Sequence, residues 1–231
     1  MAWQSGPLES WFDIHEAIKK EFPRLRKMAA NACLEDTDSL KTLSDEVVFF
    51  AEVLTVHSLS EDGVGFPIMR ARGISVPKAL GDDHHRELAA LYDIRRACLE
   101  LLFHEDGQDL EAALATVRGQ LAALEEDLAQ HIAAEDDVVI PQAMEAFSPA
   151  EQAQLVVKMV AHTPAWLSEK VLPWMITNIS AEHRTHLLAV WMENLAREPL
   201  IARVRVIKAG VSAELWAELK RDVPGLVTLA P

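Results

Sequence analysis

The chain has 231 residues, of which 50% are apolar and 25% charged, a composition typical of a folded globular protein. Asp and Glu total 36 against 22 Lys and Arg, and the resulting net charge of -14, without any basic cluster, makes nucleic-acid binding unfavourable. Two cysteines and no apolar run of roughly 20 residues exclude a disulfide framework and a membrane span, so we expect a cytoplasmic protein that binds neither nucleic acid nor membrane.

Apolar residues recur at helical spacing over most of the chain, and the first two stripes predict two long helices. The first begins at Ser10, an expected N-cap, and carries His15, while Pro23 is expected to kink or interrupt it. The second carries His57 and Glu61, and the letters DGVGFP after Glu61 are expected to end or bend this helix. The second stripe comprises Leu43, Val47, Phe50, Leu54, His57, Glu61 and Val64.

Residues 73–77 are predicted to connect to a third helix, which Asp82 or Asp83 is expected to cap. The letters HEDGQD then predict a loop before a fourth helix. The third stripe comprises His85, Leu88, Tyr92, Leu99 and Leu102. The fourth comprises Leu110, Leu114, Val117, Leu121, Leu124, Leu128, His131, Glu135 and Val138. Four helices of about 20 residues with short connections predict an antiparallel bundle.

From residue 147 onward the predicted helices are shorter, near 149–162, 165–178, 181–196 and 212–222, with prolines between them. Ser148, Pro149 and Glu151 form a strong helix start. This part contains no glycine-rich phosphate loop and no nucleophile elbow. We therefore expect an all-α chain with an up-down four-helix bundle over residues 1–146 and a helical extension over 147–231 packed on the bundle.

Two segments of the bundle repeat one motif. His57 opens HSLSEDGVGFP and His131 opens HIAAEDDVVIP, so both read H-x3-E-D-x-V-x-(Phe/Ile)-P with five shared identities. Because residues four apart share one face of a helix, His57 with Glu61 and His131 with Glu135 can each approach one metal ion. A single pair of this kind is common by chance, whereas the repeated context is specific.

The other two helices also correspond, since HEAIKKEF begins at His15 and HRELAALY at His85, each with an aliphatic residue at +3 and an aromatic at +7. This register favours His85 over its neighbour His84 as the inward residue. It leaves open whether His84 or Glu87 completes the ligand set. Two half-sites that face each other predict a dinuclear centre with six ligands: His15, His57, Glu61, His85, His131 and Glu135.

The donor chemistry indicates the metal. Imidazole and carboxylate ligands without thiolate favour iron, and manganese or zinc less strongly. Burying two carboxylates without a cationic partner would be very costly, and few lysines or arginines lie on the inner stripes. We therefore expect two iron ions in a non-haem di-iron centre, whereas His162, His183 and His186 in the extension are expected to have surface or capping roles.

These residues resemble the hemerythrin-like, or HHE cation-binding, family: a lone His on the first and third helices and H-x3-E on the second and fourth. The resemblance covers roughly residues 10–146. The extension, with EKVLPWM after FSPAEQ, is similar to the hemerythrin-type modules of plant iron-sensing ubiquitin ligases, although this chain has no cysteine-rich zinc module. Oxygen-carrying hemerythrins add a second His one turn after the lone His of the third helix, where this chain has Ala89.

The resemblance implies a protein that binds or senses oxygen, nitric oxide or iron. An alternative is an enzyme, a di-iron oxidase, oxygenase or peroxide-removing catalyst, which the open coordination position at Ala89 would favour; its catalytic residues are unknown. A third hypothesis is a metal-stabilised bundle. The extension is predicted to contact a protein partner.

Overall fold

A computed structural model describes residues 6–104, 109–161 and 163–229. Helices dominate these ranges and no strand occurs in them, so the predicted all-α class is confirmed. Every helix within these ranges is too short or too polar to span a bilayer. Most of the predicted HEDGQD loop, and also His162, lie outside the described residues. The helices are α1 Ser10–Asn31, α2 Thr37–Ser60, α3 Phe66–Ala71, α4 Lys78–Leu102, α5 Leu110–Ala134, α6 Ile140–Ala146, α7 Pro149–Val160, α8 Ala165–Asn178, α9 Ala181–Asn194, α10 Arg197–Gly210, α11 Ala213–Asp222 and α12 Leu226–Leu229.

The chain forms two compact units. The central unit is Lys19–Val139, and the terminal unit combines the described residues up to Ile18 with those from Ile140 onward. The border between them runs through α1, which continues through Pro23 without interruption. The domain division predicted at residue 146 stays a prediction.

In the central unit, α1 and α2 run antiparallel. The rings of Phe22 and Phe50 meet edge to face with centroids 5.1 Å apart. Arg24, further along α1, forms an ion pair with Glu46, which lies earlier on α2. Contacts that advance along one helix and retreat along the other establish the antiparallel direction.

The same pattern relates α1 to the last helix of the bundle. Lys19 forms an ion pair with Asp136 at 2.9 Å, and Arg26, further along α1, forms one with Glu125 at 2.7 Å, earlier on α5. Helix α4 packs against both α2 and α5. The four helices therefore form the predicted up-down bundle.

The sequence periodicity of α2 and α5 correctly predicts their buried faces. The side chains of the α2 stripe from Leu43 to Leu54 are buried, as are those of the α5 stripe from Leu114 to Leu128. Beyond Glu135 the prediction is wrong by one residue, because Val138 is exposed and Val139 is buried.

Two π-helical turns explain this shift. They comprise Glu61–Gly65 and Glu135–Val139, and each begins at the glutamate of the repeated motif. A π-helical turn adds one residue to the helix and rotates everything after it. A proline follows each glutamate by six residues, and its ring would clash with the carbonyl four residues earlier in a regular α-helix. The predicted bend in the second helix is therefore a widened turn, after which α3 continues.

The predicted register of α4 is wrong. Tyr92 and Leu99 are exposed, and the helix begins at Lys78 after Pro77, so Asp82 and Asp83 are not its caps. The face of α4 that carries Tyr92 and Leu99 also carries the exposed Arg95, whereas the buried stripe contains neither Lys nor Arg. The buried stripe consists of Leu80, His84, Glu87, Leu91, Ile94, Cys98 and Leu101.

In the terminal unit, α7, α8, α9 and α11 lie where the sequence predicts helices, and the predicted capping box of Ser148 with Glu151 is present. Helix α10 is not among the helices that the sequence predicts, since Pro199 lies in this segment and prolines punctuate the predicted helices. Pro199 is the third residue of α10, in the first turn, where a missing amide proton costs no helical hydrogen bond. Helices α8 and α10 meet closely, since a Cβ at Gly210 would lie 2.3 Å from Pro173 Cγ.

The aromatic pair of the central unit offers a test of its packing. Phe50 is fully buried, so Phe50→Ala is expected to lower the free energy of unfolding by about 3–5 kcal/mol. Phe103, which is 79% exposed, provides the control, and Phe103→Ala should change stability little. Urea unfolding followed by circular dichroism measures both. Similar losses for the two variants would contradict the described packing of the bundle.

Candidate metal centre

The first element of the site is the end of α2. His57 and Glu61 lie one helical turn apart, with His57 Nε2 3.1 Å from Glu61 Oε1. The Glu61 side chain is fully buried, and His57 is 11% exposed. Glu61 is also the first residue of the π-helical turn, so the widened turn begins at this donor.

The carboxylate of Glu61 also faces α4. His84 Nε2 lies 3.0 Å from Glu61 Oε2, so each oxygen of Glu61 contacts a different imidazole. The His84 ring stacks on Phe66, with centroids 5.9 Å apart and ring planes at 7°. His84 Nδ1 lies 3.0 Å from Asp62 Oδ2.

The repeated motif places a matching pair at the end of α5. His131 Nε2 lies 3.3 Å from Glu135 Oε1, and His131 Nδ1 lies 3.0 Å from Glu87 Oε1. The rings of His84 and His131 are neighbours, with centroids 4.5 Å apart. All of these side chains are buried.

Together these side chains form two sets of nitrogen and oxygen donors. In the first set, His57, Glu61 and Glu135 each contribute one donor atom, and these atoms lie within 4.8 Å of one another. In the second set, the same holds for one donor atom each from His84, His131 and Glu135. Glu135 belongs to both sets, and Glu61 contacts an imidazole of each. Buried carboxylates that each face two donor sets are suited to two cations, so the donor chemistry fits the predicted metal centre.

The structure corrects the choice between the two histidines of α4. His84 is buried in the cluster, whereas His85 is exposed and its Nδ1 lies 2.7 Å from the carbonyl oxygen of Gly81. Ala89, one turn after His85, is exposed as well. The residue in the cluster one turn after His84 is Glu87, so the exposed Ala89 does not provide an open coordination position.

His15, the first of the predicted ligands, lies on α1 in the terminal unit and is fully buried. Its role as a ligand stays a prediction that rests on the sequence repeat. His183 and His186 are partly buried, with His183 Nδ1 2.6 Å from Asp13 Oδ1 and His186 Nε2 2.6 Å from Glu9 Oε2. These two histidines are therefore partners of buried carboxylates, more enclosed than the surface or capping roles expected for them.

The contact of Asp62 with His84 was not predicted from the sequence. A signal was present, because the repeated motif carries Asp directly after each ligand-type Glu. The sequence predicts Glu87 only as a possible ligand. Its spacing of three residues from His84 places both on one face of α4, toward α5.

Without a metal ion, protons balance part of the buried negative charge. Burial lowers the pKa of the His131 imidazole, but hydrogen bonds to Glu135 and Glu87 outweigh burial and raise this pKa to about 10. Burial likewise opposes the charged form of His84, while Glu61 raises its pKa above the ordinary value of 6.5. A cation that binds here therefore displaces protons from these imidazoles.

Comparisons with known proteins agree with this site. The profile of the hemerythrin HHE cation binding domain matches residues 6–143. A BRUTUS-like zinc finger protein of Arabidopsis thaliana is 29% identical over 185 residues, which are 78% of this chain and 14% of the relative. Zinc finger protein BRUTUS of the same plant is 24% identical over 203 residues, 88% of this chain and 16% of the relative. These alignments extend beyond the matched domain, which confirms the resemblance predicted for the extension. The chain spans about one seventh of the length of these two relatives. No solved structure matches it.

The raised pKa of His131 predicts how the stability of the metal-free protein depends on pH. A folded-state pKa above the unfolded value stabilises the fold at low pH, and this contribution is lost as the pH rises from 6.5 toward about 10. With chelator present, His131→Gln should flatten the decline in unfolding free energy across that interval. His85→Gln, at an exposed position, is the control. If the unfolding free energy from urea titrations declined equally with pH for wild type and for His131→Gln, the expected protonation of His131 would be contradicted.

Proposed function

The chain belongs to the hemerythrin HHE cation-binding family, and on this premise we propose that it is a non-haem di-iron protein that binds or senses oxygen, nitric oxide or iron. One observation carries the proposal. Glu61 and Glu135 are both fully buried, and each lies next to donors of both sets. Two carboxylates in this arrangement can each bridge two cations, whereas a single ion would leave part of the cluster without a counter-charge.

The proposed ligands fall into two half-sites. His57 belongs to one and His84 with His131 to the other. Glu135 is a member of both donor sets, and Glu61 of the first set also lies 3.0 Å from His84 of the second. The sequence repeat adds His15 as a sixth ligand. Nitrogen and oxygen donors without thiolate favour iron over zinc, and manganese is the nearest competitor.

The residues of the chain have three tasks in this proposal. Glu61 and Glu135 compensate the charge of the cations, which removes the cost of burying two carboxylates. The imidazoles would give up protons when a metal binds and would supply nitrogen ligands to the ions. Phe66 stacks on His84 and holds one face of its ring. Bound iron would supply the electrons and the coordination positions that a diatomic ligand needs.

The sensing or binding function is preferred to the enzymatic alternative. The case for an oxidase or a peroxide-removing enzyme depended on Ala89 as an open position beside His85, and both residues are exposed. The cytoplasmic location and the protein partner of the extension stay predictions. Any activity of the full-length relatives is likewise a hypothesis for this chain, because only about one seventh of their length is shared.

Metal stoichiometry separates the two histidines of α4. The purified wild-type chain should carry two iron ions, and His84→Ala should lose one of them because it removes a buried donor. His85→Ala is the matched control and should retain both. Elemental analysis after anaerobic reconstitution with ferrous iron measures the content. Loss of iron from His85→Ala alone would show that the assigned face of α4 is incorrect.

Removal of the metal should destabilise the fold. At a free iron concentration 100 times the dissociation constant, binding contributes about 2.7 kcal/mol, which corresponds to about 5–10 °C in melting temperature for a chain of this size. Chelator should therefore lower the melting temperature of wild type by about this amount. The double variant Glu61→Gln/Glu135→Gln should melt at one temperature with and without chelator. If chelator lowered the melting temperature of wild type and of the double variant equally, Glu61 and Glu135 would not be metal ligands.

A further inference from the structure

Both imidazoles of one half-site have a carboxylate at each ring nitrogen. In His84, Nε2 faces Glu61 at 3.0 Å and Nδ1 faces Asp62 at 3.0 Å. In His131, Nε2 faces Glu135 at 3.3 Å and Nδ1 faces Glu87, also at 3.0 Å. The same nitrogen thus faces the shared carboxylates in both rings, although the two histidines lie on different helices.

We propose that Asp62 and Glu87 are positioning residues of the metal centre and not metal ligands. Each lies 3.0 Å from the Nδ1 atom of one histidine, where it can accept the Nδ1–H and leave the Nε2 lone pair to the metal ion. This inference rests on the proposed function. It assigns roles to two carboxylates that the sequence pattern left unassigned or ambiguous.

The geometry of the imidazole ring separates the two roles. The lone-pair directions of Nδ1 and Nε2 diverge, so a group bonded to Nδ1 lies away from an ion bound at Nε2. The Oδ2 atom of Asp62 and the Oε1 atom of Glu87 occupy the Nδ1 side. Their contacts are therefore those of second carboxylates behind ligand histidines, an arrangement common in metal sites.

Packing leaves each ring little freedom to present the other nitrogen. The His84 ring has Phe66 stacked on it in nearly parallel planes and the His131 ring 4.5 Å away. Glu87 is 5% exposed, so its charge is poorly screened by solvent. A buried carboxylate that accepts Nδ1–H makes Nε2 a stronger electron donor and favours the more highly charged state of the metal.

Isosteric amides test the proposal. Asp62→Asn and Glu87→Gln keep the size of each side chain but remove its charge, and both should retain two iron ions per chain. Their affinity for ferrous iron, measured anaerobically against a competing chelator, should fall about 10- to 100-fold. The midpoint potential of the centre should rise. Asp45→Asn on α2 and Asp93→Asn on α4 are matched controls, because these carboxylates form ion pairs with Lys41 and Arg96.

The outcomes separate the two claims. Loss of one iron from Asp62→Asn or Glu87→Gln would overturn the inference, since it would identify that carboxylate as a ligand. Affinity and potential equal to those of the controls would overturn it as well. A wild-type chain that binds no iron would overturn the proposed function and the inference with it.

A second measurement needs no substitution. In the zinc-loaded wild-type chain, 15N NMR of the imidazoles should show both His84 and His131 with the proton on Nδ1 and the metal on Nε2. A spectrum with the metal on Nδ1 of either ring would overturn the inference for that histidine.

Discussion

The arrangement of side chains at the centre of the bundle depends on compensating two buried carboxylates, Glu61 and Glu135. Both carboxylates are fully buried between helices, where an uncompensated charge would be strongly destabilising. Histidines from α2, α4 and α5 surround them, and the neighbouring carboxylates raise the pKa of the His131 imidazole, which favours its protonated form. Either protons or cations must therefore accompany these carboxylates, and the two cations proposed above would serve both donor sets.

The helix backbone changes its path at the two glutamates whose burial must be compensated. Each glutamate begins a π-helical turn, and the widened turn redirects the chain directly after the donor pair. The repeated proline, six residues after each glutamate, favours the same widening because its ring is incompatible with the regular helical path. One repeated motif therefore encodes both the donors and the local backbone that carries them.

The sequence predicted the bundle, its two His-Glu pairs and most extension helices, because apolar spacing and capping residues act locally. It did not predict the face of α4, where two stripes compete and only the position of Arg95 distinguishes them. The change at Val138 and Val139 depends on a π-helical turn that spacing rules for regular helices omit. Asp62 could not be assigned, since its contact with His84 joins two helices and requires tertiary structure.

The central claim is that Glu61 and Glu135 hold two metal ions side by side. The most direct measurement is X-ray absorption of the iron-loaded protein, which reports the separation of the two ions. The shared carboxylates predict an iron–iron distance of about 3.5–4 Å together with nitrogen and oxygen scatterers in the first shell. Two bound irons with no iron–iron separation in this range, or a sulfur atom among the ligands, would contradict a pair of ions held by Glu61 and Glu135.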